Sequence, residues 1–208
     1  MPTAKARAKK IKLLLFDVDG VMTDGTIWLF PAPGGAQQTA TGNQARRDIG
    51  GYEIVSSTVI ESKGFNAHDG AGMSLAHLGG LKLGLITKRI SETVALRARD
   101  LRLDYVYQGI ADKLSTFREI LKKEGLREDQ AAYIGDDVID LPVMLNCGLA
   151  IAVPNARKAV KDQAHFITER HGGHGAIRDA VEYILGTQGT LKRAIEEYLQ
   201  ARGPEKKE

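Results

Sequence analysis

Two aspartates two residues apart, Asp17 and Asp19, follow the apolar run Leu13-Leu14-Leu15-Phe16 and precede Gly20. Such a run reads as a buried strand. In extended backbone, residues i and i+2 project the same way, so both carboxylates share one site wherever the strand geometry persists. Close carboxylates repel unless a cation or a shared proton intervenes. The pair therefore asks for a metal, a catalytic role, or both. The alternative, for this stretch taken alone, is a strand running into an Asp/Gly turn. Two further polar clusters end apolar runs. Thr87 follows Leu83-Gly84-Leu85-Ile86, and Asp136, Asp137 and Asp140 follow Ala131-Ala132-Tyr133-Ile134. Lys113 opens the helical stretch that precedes the third cluster.

The elements that must position these groups alternate. Strands are expected at 13–16, 81–86, 105–107, 131–134, 149–153 and 165–167. Helices are expected at 73–78, 91–101 with Ser91 as N-cap, 113–124 stopped at Gly125, 139–146, 156–163, 176–185 and 191–200. Alternation of this kind predicts an α/β, Rossmann-like parallel sheet covered by helices on both faces. Every strand of a parallel sheet ends on the same side, where open α/β sheets bind their ligands, so the three clusters and Lys113 converge there. Residues 26–65 are the least regular stretch. They read as a β-hairpin flap with a long connecting loop at about 31–52, and Trp28 as a packing residue upon it. Nothing inserted is long enough to be a large cap domain.

The organisation expected is a basic, disordered leader at 1–10, one domain at 11–187, and a C-terminal helix and tail at 188–208. At 208 residues the chain suffices for one sizeable core. Its net charge of +3 is misleading, because Lys5, Arg7, Lys9 and Lys10 crowd the leader and leave the remainder at −1. The body thus carries no nucleic-acid footprint. The single cysteine, Cys147, excludes an intrachain disulfide framework and reads as a small buried hydrophobe. The absence of long apolar runs predicts no membrane association and a cytoplasmic protein.

Hard oxygen donors, a hydroxyl and an ammonium together suit Mg²⁺. Zinc is disfavoured, because there is no Cys pair and His68, His77, His165, His171 and His174 lack ligand spacing. Phosphate-binding Gly-x-x-x-x-Gly-Lys loops and Gly-x-Ser-x-Gly elbows are absent from the sequence.

Asp17-Val18-Asp19-Gly20-Val21, Thr87, Lys113 and Gly135-Asp136-Asp137-Val138-Ile139-Asp140 resemble the four signature motifs of haloacid-dehalogenase-type phosphatases, in the same order. The resemblance implies that Asp17 is a nucleophile forming an aspartyl-phosphate and that Asp19 is the acid and base. It implies Mg²⁺ held by Asp17, the Asp19 main-chain carbonyl and Asp136. Thr87 and Lys113 would then bind the phosphoryl group, and Asp137 and Asp140 would hold the loop and Lys113. Phe65-Asn66-Ala67-His68-Asp69-Gly70-Ala71-Gly72, Ile86-Thr87-Lys88-Arg89, Tyr107-Gln108-Gly109 and Gly172-Gly173-His174-Gly175 narrow this further. Over roughly residues 11–187 the chain resembles the 3-deoxy-D-manno-octulosonate 8-phosphate phosphatase family.

That resemblance implies a Mg²⁺-dependent homotetramer acting on a phosphorylated sugar acid in lipopolysaccharide precursor synthesis. Substrate would be bound by Phe65, Asn66, Ala67, His68, Asp69, Met73, Arg89 and Arg97. The chain departs from the family at His68 and His174, where Arg is common, and at Lys88, where Gly is common. Two alternatives remain open: a phosphatase for a nine-carbon sugar acid or another small sugar phosphate, and a catalytically silent tetramerising domain.

Overall fold

In a computed structural model, residues 2–31 and 59–200 are described. Nearly all of the loop expected at 31–52, residues 54–58 of the extended stretch expected at 54–60 and the tail from residue 201 lie outside them. The elements in chain order are α1 (Ala4–Ala8), β1 (Leu13–Phe16), β2 (Trp28–Pro31), β3 (Val59–Ser62), α2 (Ala67–Leu78), β4 (Lys82–Ile86) and α3 (Glu92–Asp100). They continue with β5 (Tyr105–Tyr107), α4 (Lys113–Glu124), β6 (Ala131–Gly135), α5 (Leu141–Met144), β7 (Leu149–Ala152), α6 (Lys158–Lys161), β8 (Phe166–Ile167), α7 (Ala176–Gln188) and α8 (Leu191–Gln200).

Six strands form one parallel sheet in the order β5-β4-β1-β6-β7-β8. From β1 the chain moves outward one way through β4 and β5, then returns to β6 and moves the other way. That reversal beside β1 is the switch point where such sheets open a crevice at the strand ends. All four residues of β1 are buried to 0% exposure, so helices cover both faces of the central strand. Burying each such side chain is worth roughly 1.5–3 kcal/mol. The sheet edge that carries the polar clusters is thus set by apolar strands with nowhere else to go.

Residues 27–63 form a second compact unit. Its described part is an antiparallel ribbon with Trp28 opposite Ser62 and Phe30 opposite Ile60. Trp28 packs along its own strand. It is 57% exposed and stacks on Phe30, the ring centroids 6.5 Å apart.

Three local expectations are corrected. The leader is not wholly disordered: Ala4–Ala8 form α1, and Ala8 is buried. Distant partners hold it. Arg7 Nη1 donates to Gly148 O at 2.7 Å, and Gln188 Nε2 donates to Ala8 O and Ile11 O. Helix α2 begins at Ala67, six residues before the expected start, because Asn66 Oδ1 accepts the His68 N–H and caps it. The helix expected at 139–146 divides into a tight turn at Val138–Asp140 and the short α5, where Pro142 sits in the first turn, the one place a helix tolerates it. Cys147 is buried, as its type suggests.

Candidate active site

The C-terminal end of β1 delivers Asp17 directly into the crevice. Its backbone N–H still donates to Ile134 O of β6, so the strand geometry reaches as far as the carboxylate. The chain then winds through a tight turn over Val18–Met22, broken at Asp19 (φ −73°, ψ 117°) and Gly20 (φ 89°). Only glycine adopts that second conformation without strain. A Cβ on Gly20 would also overlap Asp136 Oδ2, so the turn and the end of β6 approach one another through the space that glycine leaves.

Asp17 Oδ1 accepts the Val18 N–H at 2.7 Å, and Asp17 Oδ2 pairs with Lys113 Nζ at 2.8 Å. Lys113 is the first residue of α4, whose cap is Asp112, and its side chain is buried. Nζ also lies 2.8 Å from Asp140 Oδ1. Asp140 is itself fully committed. Oδ1 accepts from Lys113 and from the Tyr133 hydroxyl at 2.8 Å, and Oδ2 accepts the N–H groups of Asp136 and Asp137. A carboxylate offers about four acceptor positions, and Asp140 uses four. It orients Lys113 and the loop after β6. Burial, then the Asp140 and Asp17 charges, hold the Tyr133 phenol well above its ordinary range, so it remains a donor.

Asp136 is different. Its Oδ1 is buried and takes no hydrogen bond. One oxygen each of Asp17, Asp136 and Asp140 lies within 4.8 Å of the others, with the single ammonium of Lys113 against them. Burial first and the Asp140 charge second push Asp17 up to about 6 and Asp136 up to about 7. Holding Asp136 fully ionised beside an ionised Asp17 at neutral pH requires more positive charge than Lys113 supplies. The unengaged Asp136 oxygen, the cradle at Gly20 and an all-oxygen donor set fit a hard divalent cation held by Asp17 and Asp136. Asp140 lies near enough, but its four donors leave it no lone pair to give.

The Asp19 carboxylate lies apart from that cluster, with Oδ2 at 3.7 Å from Arg89 Nε. Thr87 stands just past the end of β4, beside β1, and is buried; its N–H donates to Tyr107 O. Asp137 is exposed and caps the turn at Val138.

The remaining predicted residues divide. Ala67 and His68 are exposed and Asn66 is half-buried at the start of α2. Phe65 is half-buried with the Arg97 guanidinium 5.9 Å above its ring, and Arg97 Nε is buried without a hydrogen bond. Two have no surface to offer a ligand. Met73 is 0% exposed in the core, because the longer α2 turns it inward. Asp69 is 2% exposed and turned away, its Oδ1 accepting the Arg178 N–H at 3.0 Å in the first turn of α7. Sequence reasoning missed Tyr133 and Asn155 as parts of the site's support. Tyr133 carries no signal inside an apolar strand. Asn155 follows β7 as Asp17, Thr87 and Asp136 follow their strands, and that position is the signal which could have found it.

Comparison with known proteins agrees with this geometry. A family model described as haloacid dehalogenase-like hydrolase matches residues 86–179. The chain is 36% identical over 188 residues to the 3-deoxy-D-manno-octulosonate 8-phosphate phosphatase of Yersinia pestis, covering 90% of this chain and 87% of that one. It is 34% identical over 189 residues to that of Escherichia coli K12, covering 91% and 87%. Among solved structures, the Moraxella catarrhalis 3-deoxy-D-manno-octulosonate 8-phosphate phosphatase, in complex with magnesium, phosphate and the KDO molecule, superposes with a TM-score of 0.77. Its identity is 32%, with 94% of this chain and 97% of that one covered. With its buried Asp17–Lys113–Asp140 chain at the sheet switch point and this likeness along nearly its whole length, the chain belongs to the 3-deoxy-D-manno-octulosonate 8-phosphate phosphatase family of haloacid dehalogenase-like hydrolases.

Proposed function

We propose that the protein hydrolyses 3-deoxy-D-manno-octulosonate 8-phosphate to the free sugar acid and phosphate, with Mg²⁺ as cofactor, as a step in lipopolysaccharide precursor synthesis. The observation that carries this is the pairing of a buried nucleophile-type carboxylate, Asp17, with a buried ammonium, Lys113, beside the unengaged oxygen of Asp136.

Asp17 attacks phosphorus through a carboxylate oxygen, and the bond from phosphorus to the sugar oxygen breaks. Asp19 gives its proton to the leaving alkoxide. It then takes one from the water that attacks the aspartyl-phosphate, releasing phosphate and restoring Asp17. Lys113 stabilises charge on Asp17 and on the phosphoryl oxygens, and Thr87 hydrogen-bonds one of those oxygens. Asp17, Asp136 and the Asp19 main-chain carbonyl would hold Mg²⁺, which when bound would supply neutralisation of phosphate charge that otherwise repels the nucleophile. Arg89, beside Asp19, and Arg97, over Phe65, are the cations placed to grip the sugar-acid carboxylate, with Asn66, Ala67 and His68 at the rim. Met73 and Asp69 support that rim from within.

The same reading includes a homotetramer in the cytoplasm. Its support is the ribbon of Trp28–Pro31 and Val59–Ser62, where Trp28, Leu29, Phe30 and Ile60 are all exposed, together with one buried free cysteine and, in the sequence, no second cysteine for an intrachain disulfide. Sedimentation should give four subunits; a fully active monomer would remove the assembly from the proposal. Among the described residues no helix is long and apolar enough to cross a membrane.

The test of function is a panel of sugar phosphates with purified protein and Mg²⁺. Phosphate release should be highest for the eight-carbon acid phosphate and should stop on chelation. A higher kcat/KM for a nine-carbon acid phosphate would reassign the substrate, and no release from any of them would favour a silent scaffold.

A further inference from the structure

The loop after β7 reaches both halves of the cation site. Asn155 Nδ2 donates to Gly20 O at 2.8 Å, across 135 residues of sequence, and Asn155 Oδ1 accepts the Gly172 N–H at 2.8 Å. Two residues on, the Arg157 N–H donates to Asp136 O at 2.9 Å. From the other side, the Gly173 N–H donates to Val21 O at 3.0 Å. A Cβ on Gly172 would overlap Gly20 O, so this segment lies directly against the turn that follows Asp19.

We propose that Asn155 is a positioning residue for the cation site. It clamps the Gly20 peptide so that the Asp19 carbonyl and the Asp17 carboxylate keep their places opposite Asp136. The inference rests on reading Asp17, Asp136 and the Asp19 carbonyl as the ligands. The physical reason is the turn itself. The Asp19 carbonyl is aimed by ψ of Asp19 and φ of Gly20, and glycine is the residue least able to hold one such value unaided. A carbonyl pinned by a side-chain amide, and a neighbouring carbonyl pinned by Gly173, supply the constraint that Gly20 lacks. The same loop fixes the backbone of Asp136. One short segment therefore sets the distance between ligands that come from β1 and β6. Although Asn155 is exposed, both ends of its amide are engaged. It touches no reacting atom, and acts through Gly20.

The experiment is Mg²⁺ calorimetry on the full chain, with phosphate release measured alongside. Asn155→Ala should raise the Mg²⁺ Kd by about 10-fold, the lower end of what supporting residues around metal ligands cost. Its turnover should fall at limiting Mg²⁺ and recover toward that of the unaltered protein when Mg²⁺ is saturating. Asn155→Ser, whose hydroxyl is too short to bridge both partners, should shift Kd in the same direction and guards against a folding failure of the alanine variant. Gln188→Ala serves as the control, since it also removes two side-chain hydrogen bonds, to Ala8 O and Ile11 O near the start of β1. It should lower Tm without changing Mg²⁺ affinity. Unchanged Mg²⁺ affinity in both Asn155 variants, or an equal loss in Gln188→Ala, overturns the proposal. Failure of the unaltered protein to bind Mg²⁺ at all overturns the ligand reading beneath it.

Discussion

Asp69 gives the sharpest test of the electrostatics. It is 2% exposed, its Oδ1 accepts the Arg178 N–H at 3.0 Å, and its Oδ2 is buried with no hydrogen bond. Burial pushes its carboxyl from 3.8 up to about 6, against backbone N–H donors at the start of α7 that favour the charged form. The unfolded chain gives up this proton as pH passes about 4, whereas the folded protein keeps it until about 6. Between those values the folded state binds more protons, so stability falls as pH rises; the full cost is present above about 6. At ~1.4 kcal/mol per pH unit the cost reaches about 3 kcal/mol. Asp69→Asn keeps an acceptor for Arg178 and does not titrate. Its new amide N–H, placed where Oδ2 finds no partner, costs about 1 kcal/mol at every pH. The offset between variant and unaltered protein therefore depends on context, but its change with pH does not. Urea denaturation with chelator present should show the variant gaining about 2 kcal/mol relative to the unaltered protein between pH 4.5 and pH 7.5. A difference flat to within about 0.5 kcal/mol across that range would falsify the assignment of a strained buried carboxylate.

Other outcomes follow from the same geometry. Asp17→Asn should lose phosphate release by ~10⁴-fold or more while keeping its far-UV circular dichroism, and substantial turnover would exclude the covalent route. Asp140→Ala leaves the Tyr133 hydroxyl and two backbone N–H groups without their acceptor, and Lys113 Nζ without one of its two carboxylate partners. It should cost about 3–5 kcal/mol, seen by calorimetry as a Tm roughly 10 °C lower; a loss under about 1 kcal/mol would mean that water replaces the carboxylate. Gly20→Ala should abolish Mg²⁺ binding, because its Cβ would meet Asp136 at a φ of 89°. A variant that still titrates with Mg²⁺ would place the cation elsewhere.

Sequence periodicity located most strands and helices to within a few residues, because buried parallel strands are short apolar runs and amphipathic helices repeat regularly. It failed where a cap or a distant partner decides. Asn66 moved the start of α2, and Gly148 and Gln188 ordered α1, through hydrogen bonds spanning up to 180 residues. Met73 and Asp69 were placed with the substrate residues by motif, yet α2 turns both inward. A motif preserves order along the chain, not the direction in which a side chain points.

What the sequence alone determined is the set of chemical groups and the side of the sheet on which they meet. Residues at the ends of parallel strands share one edge of the sheet, so Asp17, Thr87 and Asp136 could be placed on that edge from their position after apolar runs alone. Only the tertiary structure decided how the carboxylates divide their work. Asp140 is spent on Lys113, Tyr133 and two backbone N–H groups, while Asp136 keeps an oxygen unengaged. Acceptor capacity is consumed by neighbours in space, and for Asp140 one of those neighbours, Lys113, lies 27 residues away.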